Sequence, residues 1–155
     1  MKKLILKSLI TVLTLQALFF TVPSAVYALE ETCPPPTTVV IDVKPGSDTN
    51  KIYFSSKGLL PVAVLSTADF EAILFTLEMA HLSDAAVPLG CAGAAAVRWT
   101  YMDVNGDGLI DVLFFFRIQD INLTSSTTAI MLMAHGTYGS TVIHIEGTDS
   151  VLVKP

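Results

Sequence analysis

The segment 103–111 carries the residues whose types and spacing predict chemistry. It reads Asp-Val-Asn-Gly-Asp-Gly-Leu-Ile-Asp. Calcium takes about six to eight oxygen ligands, and acidic or amide side chains at alternate loop positions converge when the chain coils tightly around a glycine. The seventh position offers its backbone carbonyl. We therefore expect a calcium site whose ligands are Asp103, Asn105, Asp107, Leu109 and Asp111.

This loop differs from an EF-hand at its end. The twelfth position is Phe114 where an EF-hand has a bidentate Glu, and the apolar sequence 112–116 predicts a strand rather than an exiting helix. We expect an isolated calcium loop that leads into a strand. A remaining ligand must be water or a distant carboxylate, for which the candidates are Asp42, Asp48, Asp84 and Asp120. The alternative is an Asn-Gly or Asp-Gly turn that holds no ion.

The N-terminus predicts export. Three lysines precede an apolar stretch at 9–22, and Val26-Tyr27-Ala28 supplies small residues at a cleavage spacing. We expect a signal peptide at 1–28 and a secreted, extracellular protein, with periplasm and cell surface as alternatives. The competing interpretation is an uncleaved anchor, but the apolar stretch is near the lower length limit for spanning a bilayer. No membrane contact is expected after cleavage.

The charge and the cysteine content limit which binding partners and cross-links we expect. All 14 acidic residues but only six of the nine basic ones follow residue 28, so the mature part has a formal charge of −8. Nucleic-acid binding needs clustered Lys and Arg and is not expected. The expected partners are calcium and, as alternatives, a surface glycan or an extracellular protein. Export also permits a disulfide between Cys33 and Cys91, against two separate thiols.

The remaining pattern predicts an all-β domain. Residues 29–38 read as a Pro-rich leader that stands off the domain, and 39–155 as the domain itself. Seven or eight short strands separated by turns favour an antiparallel β-sandwich of the Ig-like kind, with one short helical turn at 67–72 and a signal helix before it. Residues 83–96 are expected to be a loop. The residues expected inside are Val62, Val64, Leu113, Phe115, Ile130 and Leu132.

Several short motifs stand out along the chain, namely IDVKPGS at 41–47, Asn50, SKG at 56–58, LPVAVLSTADF at 60–70, MDVNGDG at 102–108, FFRIQ at 115–119 and IEGTDSV at 145–151. Together they resemble an uncharacterised β module of exported bacterial and archaeal proteins. The resemblance implies a secreted module that carries a calcium loop, and it implies no activity. The module commonly has Cys-Gly where this chain has Ser125-Ser126, and the stretch 72–96 fits it poorly.

These observations favour a non-catalytic calcium module with a structural or adhesive role. A carbohydrate- or protein-binding module of the same fold is the alternative, because Trp99 and Tyr101 alternate on one strand face and could stack on a sugar, although packing is the favoured interpretation. A small exported hydrolase is less favoured, since no nucleophile motif or acid pair is evident. The three histidines are far apart in sequence and predict no zinc site.

Overall fold

The computed structural model describes residues 35–74, 76–87 and 93–155, and this part of the chain is all-β. The predicted signal peptide at 1–28, Cys33 and Cys91 lie outside the described residues. The strands are β1 Thr37–Thr38, β2 Ile41–Val43, β3 Lys51–Tyr53, β4 Leu59–Val64, β5 Thr76–Asp84, β6 Ala94–Met102, β7 Asp111–Arg117, β8 Ala129–Tyr138, β9 Thr141–Ser150 and β10 Leu152–Lys154. Short 3-10 helices span Ala72–Leu74 and Ile118–Asp120.

Most strands belong to one mixed sheet of eight, in the order β1-β9-β8-β5-β6-β7-β4-β2. The pairs in it are antiparallel except β1 with β9, and β10 pairs with β3 in a separate parallel ribbon. The centre of this sheet contains three hairpins, β5 with β6, β6 with β7 and β8 with β9, and β8 pairs antiparallel with β5 rather than with β7.

The two edge strands of the large sheet, β1 and β2, are consecutive in the chain. The amide of Val39 donates to the carbonyl of Glu146 at 2.8 Å, and the amide of Leu65 donates to the carbonyl of Val40 at 2.9 Å. The segment 37–43 therefore joins β9 on one side to β4 on the other, and the sheet curls back on itself. Thr37 and Thr38, expected in the free-standing leader, are paired with β9.

The core lies inside this curl, on one face of each strand. Phe114 and Phe116 of β7 are fully buried, as are Val62 on β4 and Leu132 on β8. The prediction that Val62, Val64, Leu113, Ile130 and Leu132 are buried is confirmed. Phe115 was expected inside and is only partly buried. It points to the outer face, where the guanidinium of Arg98 lies 4.2 Å from its ring centroid.

Two segments differ from the sequence-based expectation. The helical turn spans Ala72–Leu74 and so overlaps the expected 67–72 only at its first residue, because Thr67 and Phe70 instead form an isolated bridge. The expected loop at 83–96 is shorter, since β5 continues to Asp84 and β6 begins at Ala94. Alanine-rich sequence has weak strand propensity, and pairing of 94–96 with β5 and β7 decides its conformation. Within the described residues, no helix is long and apolar enough to cross a membrane.

Candidate functional site

The calcium-type loop connects two antiparallel neighbours in the sheet. β6 ends at Met102, β7 begins at Asp111, and these two residues are register partners. The intervening residues 103–110 form a long hairpin connection at one end of the sheet. Its residues are exposed or half-buried, whereas Asp111 is fully buried. The loop therefore presents its oxygen atoms to solvent while its last acidic residue is part of the fold.

Asp103 organises the first half of the loop. One of its carboxylate oxygens accepts the amide of Gly106 at 2.7 Å, and the other accepts the amide of Gly108 at 2.9 Å. Both glycines have positive φ, +79° and +87°, a conformation that side chains disfavour. The chain thus wraps around one carboxylate because glycine occupies both turning points.

Asn105 and Asp107 extend the same arrangement. The Asn105 Oδ1 atom accepts the amide of Asp107 at 3.0 Å, and its Nδ2 donates to Asp107 Oδ2 at 2.9 Å. The other Asp107 oxygen accepts the amide of Leu109 at 2.8 Å. The side-chain oxygens of Asp103, Asn105 and Asp107 therefore all accept hydrogen bonds from loop amides. These bonds hold the three side chains in place, and no cationic side chain takes part in them.

Asp111 connects the loop to the core. Its Oδ1 accepts the amide of Ser66 at 2.8 Å, and its Oδ2 accepts the amide of Val104 at 2.9 Å. Ser66 is itself held on both sides, because its hydroxyl donates to the carbonyl of Ile110 at 2.6 Å and accepts the amide of Ala72 at 2.9 Å. Asp111 is therefore first a structural anchor. Coordination of an ion would use the second lone pair of its oxygens.

The donor chemistry fits calcium, which prefers carboxylate, amide and carbonyl oxygens. The loop brings Asp103, Asn105 and Asp107 into one short turn. The backbone of Leu109, whose carbonyl is a potential ligand, lies beside them. The described residues contain no group of three or more His, Cys, Asp or Glu arranged to hold a metal. The carboxylates of the loop are instead each engaged by amides.

The four distant carboxylates proposed as a further ligand are not at the loop. Asp84 is engaged by the Thr127 hydroxyl at 2.6 Å, and Asp120 follows the opposite end of β7. Asp42 lies on β2, separated from β7 by β4, and Asp48 lies beyond the far end of β2.

The structure brings a different acidic residue, Glu71, to the loop. It lines a cavity of about 230 Å³ together with Ser66, Gly108 and Ile110. No spacing in the sequence links residue 71 to a loop more than thirty residues later. The pairing of β4 with β7 and the hydrogen bonds of Ser66 to Asp111 and Ile110 bring this segment beside the loop.

A second polar cluster joins the motifs at 41–50 and 145–151. Asp149 Oδ2 accepts the amide of Val43 at 2.9 Å and the Asn50 side-chain amide at 3.0 Å, and Asn50 also donates to the carbonyl of Ser150. Burial, together with the charge of Asp149, raises the pKa of Asp42. We call Asp42, Asn50 and Asp149 the Asx knot, and its hydrogen bonds give it a structural role.

The aromatic pair expected to pack is exposed. Trp99 and Tyr101 lie two residues apart on β6, with 52% and 48% of their surfaces accessible among the described residues. Trp99 also lines a cavity of about 150 Å³ with Met79 and His81, at the place where β5 and β6 separate. The favoured prediction was packing in the core or at its edge. Neither ring is in the buried core, whereas packing at the edge is consistent with Trp99 lining this cavity with Phe114, and the exposed parts of both rings are available for stacking.

The histidines are brought together by the sheet. His135 and His144 are register partners in the hairpin of β8 and β9, and their ring centroids are 4.2 Å apart. Burial lowers the pKa of His135, and His144 and His81 lower it further. A signal existed in the sequence, because the two residues are equally distant from the turn at Gly139 and Ser140, and Gly139 has a φ of +62°.

Comparison of the chain with protein-family models, with curated proteins and with solved structures found no match.

Proposed function

We propose that the protein is a secreted, non-catalytic calcium-binding β module with a structural or adhesive role at or outside the cell surface. The observation that carries this proposal is the loop 103–111, where Asp103, Asn105 and Asp107 are held side by side by loop amides. Like charges held together repel, and a divalent cation reverses the sign of that interaction.

The proposed calcium site would strengthen the sheet at one end. Asp111 already ties the loop to Ser66 and to the beginning of β7. An ion bound by the preceding loop residues would connect β6, β7 and the end of β4 through short bonds. A structural role follows, because binding to the folded state alone raises stability by about 2.7 kcal/mol at a hundredfold excess over Kd.

The proposal keeps the finer fold class expected from the sequence, an Ig-like antiparallel sandwich. Its support is that strands from opposite halves of the curled sheet, such as β7 with Phe114 and β8 with Leu132, contribute to one core. We also propose that the resemblance to the exported bacterial and archaeal module reflects shared architecture. The Asx knot supports this, because it joins the first and last matching motifs.

Calorimetry and thermal unfolding in EDTA and in millimolar calcium test the calcium site. We expect a modest rise in Tm, since extracellular sites commonly have a Kd of about 10⁻⁴–10⁻³ M, and a smaller rise with magnesium. Asp103→Ala and Asp107→Ala should abolish the rise. Asp120→Ala, which removes the same charge at an exposed position at the other end of β7, should keep it. Identical melting curves with and without calcium, together with no binding heat, would refute the proposal.

Export has its own test. Mass spectrometry of the protein from the producing cells should show an N-terminus at or near Leu29. A chain that retains Met1 in the membrane fraction would contradict secretion, and it would leave the calcium site to be judged by calorimetry.

The exposure of Trp99 and Tyr101 favours a second candidate function, a carbohydrate- or protein-binding module of the same fold. A glycan array should then show binding that Trp99→Ala and Tyr101→Ala both remove. The matched control is Tyr53→Ala, which deletes an equally exposed ring on β3, outside the large sheet. Binding that all three variants retain would count against this function.

A further inference from the structure

One face of the sheet carries the chain's histidines and most of its methionines. On adjacent strands β9, β8 and β5, His144, His135 and Met79 are register partners in one row. The next row contains Glu146, Met133 and His81. All three histidines and three of the five methionines, counting Met131 one row further, are therefore on this face.

This face points away from the core. The alternate residues of β8, among them Ile130, Leu132 and Ala134, are buried, whereas Met133 and His135 are partly accessible. Met79 has 57% of its surface exposed. A thioether on an unbranched chain usually fills gaps in a core. Met79 instead lies at the surface, in the same row as His135 and His144.

The chemistry of this group is that of a soft metal ligand set. Thioether and imidazole ligands together select soft ions such as Cu(I), whereas hard cations prefer oxygen. The His135 and His144 rings, with centroids 4.2 Å apart in an edge-on arrangement, are close enough for one nitrogen of each to reach a shared ion. Met79 lies on the other side of His135, and Met133 is two residues before it on the same face.

We propose that His135, His144, Met79 and Met133 form a binding site for a soft monovalent ion, Cu(I) or Ag(I). The site is independent of the calcium loop, which consists of hard oxygen donors at residues 103–111. Among the described residues no group of three or more His, Cys, Asp or Glu is arranged for a metal. Zinc, which favours such groups, is thus not the expected ion.

His81, on β5, lies beside the proposed ligands as the register partner of Met133 on β8. Its Nδ1 lies 3.2 Å from the carbonyl oxygen of Gly93 and donates to it, which holds the ring toward β6. His81 and Met79 also line the cavity of about 150 Å³ that contains Trp99. Trp99 is the single tryptophan of the chain. An ion bound at Met79 therefore has a natural fluorescent reporter beside it.

The test is titration of the protein with Ag(I), with Cu(I) kept reduced by ascorbate without oxygen, and with Zn(II). It is performed in a Cys33→Ser, Cys91→Ser background, because thiolates also bind soft ions. Competition with a chromophoric Cu(I) chelator gives the affinity, and quenching of Trp99 fluorescence gives the location. We expect one Ag(I) or Cu(I) per chain, with Zn(II) binding much more weakly.

Variants assign the ligands. His135→Gln, His144→Gln and Met79→Leu should each weaken Ag(I) and Cu(I) binding by about tenfold or more, as losses around metal sites commonly do. Met131→Leu is the matched control, a methionine on the same face one row beyond Met133, and it should keep wild-type affinity. Asp103→Ala should also leave the affinity unchanged.

Three outcomes would overturn the proposal. The first is Ag(I) binding that survives in the His135→Gln, His144→Gln, Met79→Leu triple variant with the same affinity. The second is equal loss in Met131→Leu, which indicates general sulfur binding. The third is Zn(II) binding tighter than Ag(I). Circular dichroism of each variant identifies any that does not fold, and Met79→Leu, a volume-conserving change at an exposed position, keeps the test informative.

Discussion

The calcium-type loop and the Asx knot are both built from Asp and Asn side chains, yet they use different distances along the chain. In the loop, hydrogen bonds from Asp103 and Asp107 reach amides between two and five residues away. In the knot, Asp149 bonds residues that are 106 and 99 positions earlier. One cluster therefore shapes a local turn, and the other closes the fold.

The loop and the Asx knot also differ in solvent exposure. The loop is mostly exposed, so its polar groups exchange protein partners for water at low cost. Asn50 has only 8% of its surface exposed, and its Oδ1 is buried with no hydrogen-bond partner in the part of the chain that the structure describes. The Asp149 carboxylate contributes to stability through its bonds to Val43 and Asn50, whereas carboxylates in the exposed part of the loop are available to a ligand.

Removal of Asp149 should have the largest effect. Asp149→Ala leaves the amide of Val43 without its acceptor and removes one of the two acceptors of the Asn50 side-chain amide. Unsatisfied buried groups cost about 1–3 kcal/mol each, so we expect a loss of about 3 kcal/mol in the free energy of unfolding. Urea denaturation in EDTA measures it. Asp149→Asn, which keeps one acceptor, should lose less, and a neutral result for Asp149→Ala would remove the structural role of the knot.

Asp107→Ala should cost much less under the same conditions. Its bonds to Leu109 and Asn105 are exposed, and the expected loss in EDTA is about 0.5–1 kcal/mol. In calcium the difference from the wild-type protein should grow, because the variant loses the ligand-linked stabilisation. Urea denaturation in EDTA measures the loss of the hydrogen bonds, and the same measurement in calcium adds the loss of calcium-linked stabilisation. Should Asp107→Ala in EDTA equal Asp149→Ala, the contrast between loop and knot is wrong.

The sequence predicted the local features well. The loop's shape follows from residue types within nine positions, and the glycines at 106 and 108 have the positive φ that such a turn requires. The all-β class followed from short strands between turns. The strong apolar run 112–116 was correctly a strand, although the assignment of Phe115 to the core was wrong because both faces of that run are apolar.

Features that depend on strand register were not predicted. The proximity of Glu71 to the loop, the Asx knot and the row of His144, His135 and Met79 each require knowing which strands are neighbours. Periodicity shows which residues share a face of one strand, but it does not order the strands. Only the hairpin at Gly139 was short enough for its pairing to be read from equal distances to the turn.

Replacement of Asp42 should give the smallest effect. Unlike the exposed carboxylates of the loop, Asp42 is partly buried and is repelled by the charge of Asp149. Its pKa is raised above 3.8 by burial and by the charge of Asp149, so the folded state holds a proton more tightly than the unfolded state. Stability associated with this group is therefore lost as pH rises from about 3.8 through the raised pKa. Asp42→Asn should consequently increase Tm slightly at neutral pH, and the increase should disappear in acid, where Asp42 is already protonated.

Thermal unfolding across this pH range measures the change in Tm, with Asp120→Asn as the control for loss of one exposed negative charge. Equal shifts in both variants at neutral pH would show that net charge, rather than the burial of Asp42 and its repulsion by Asp149, is responsible.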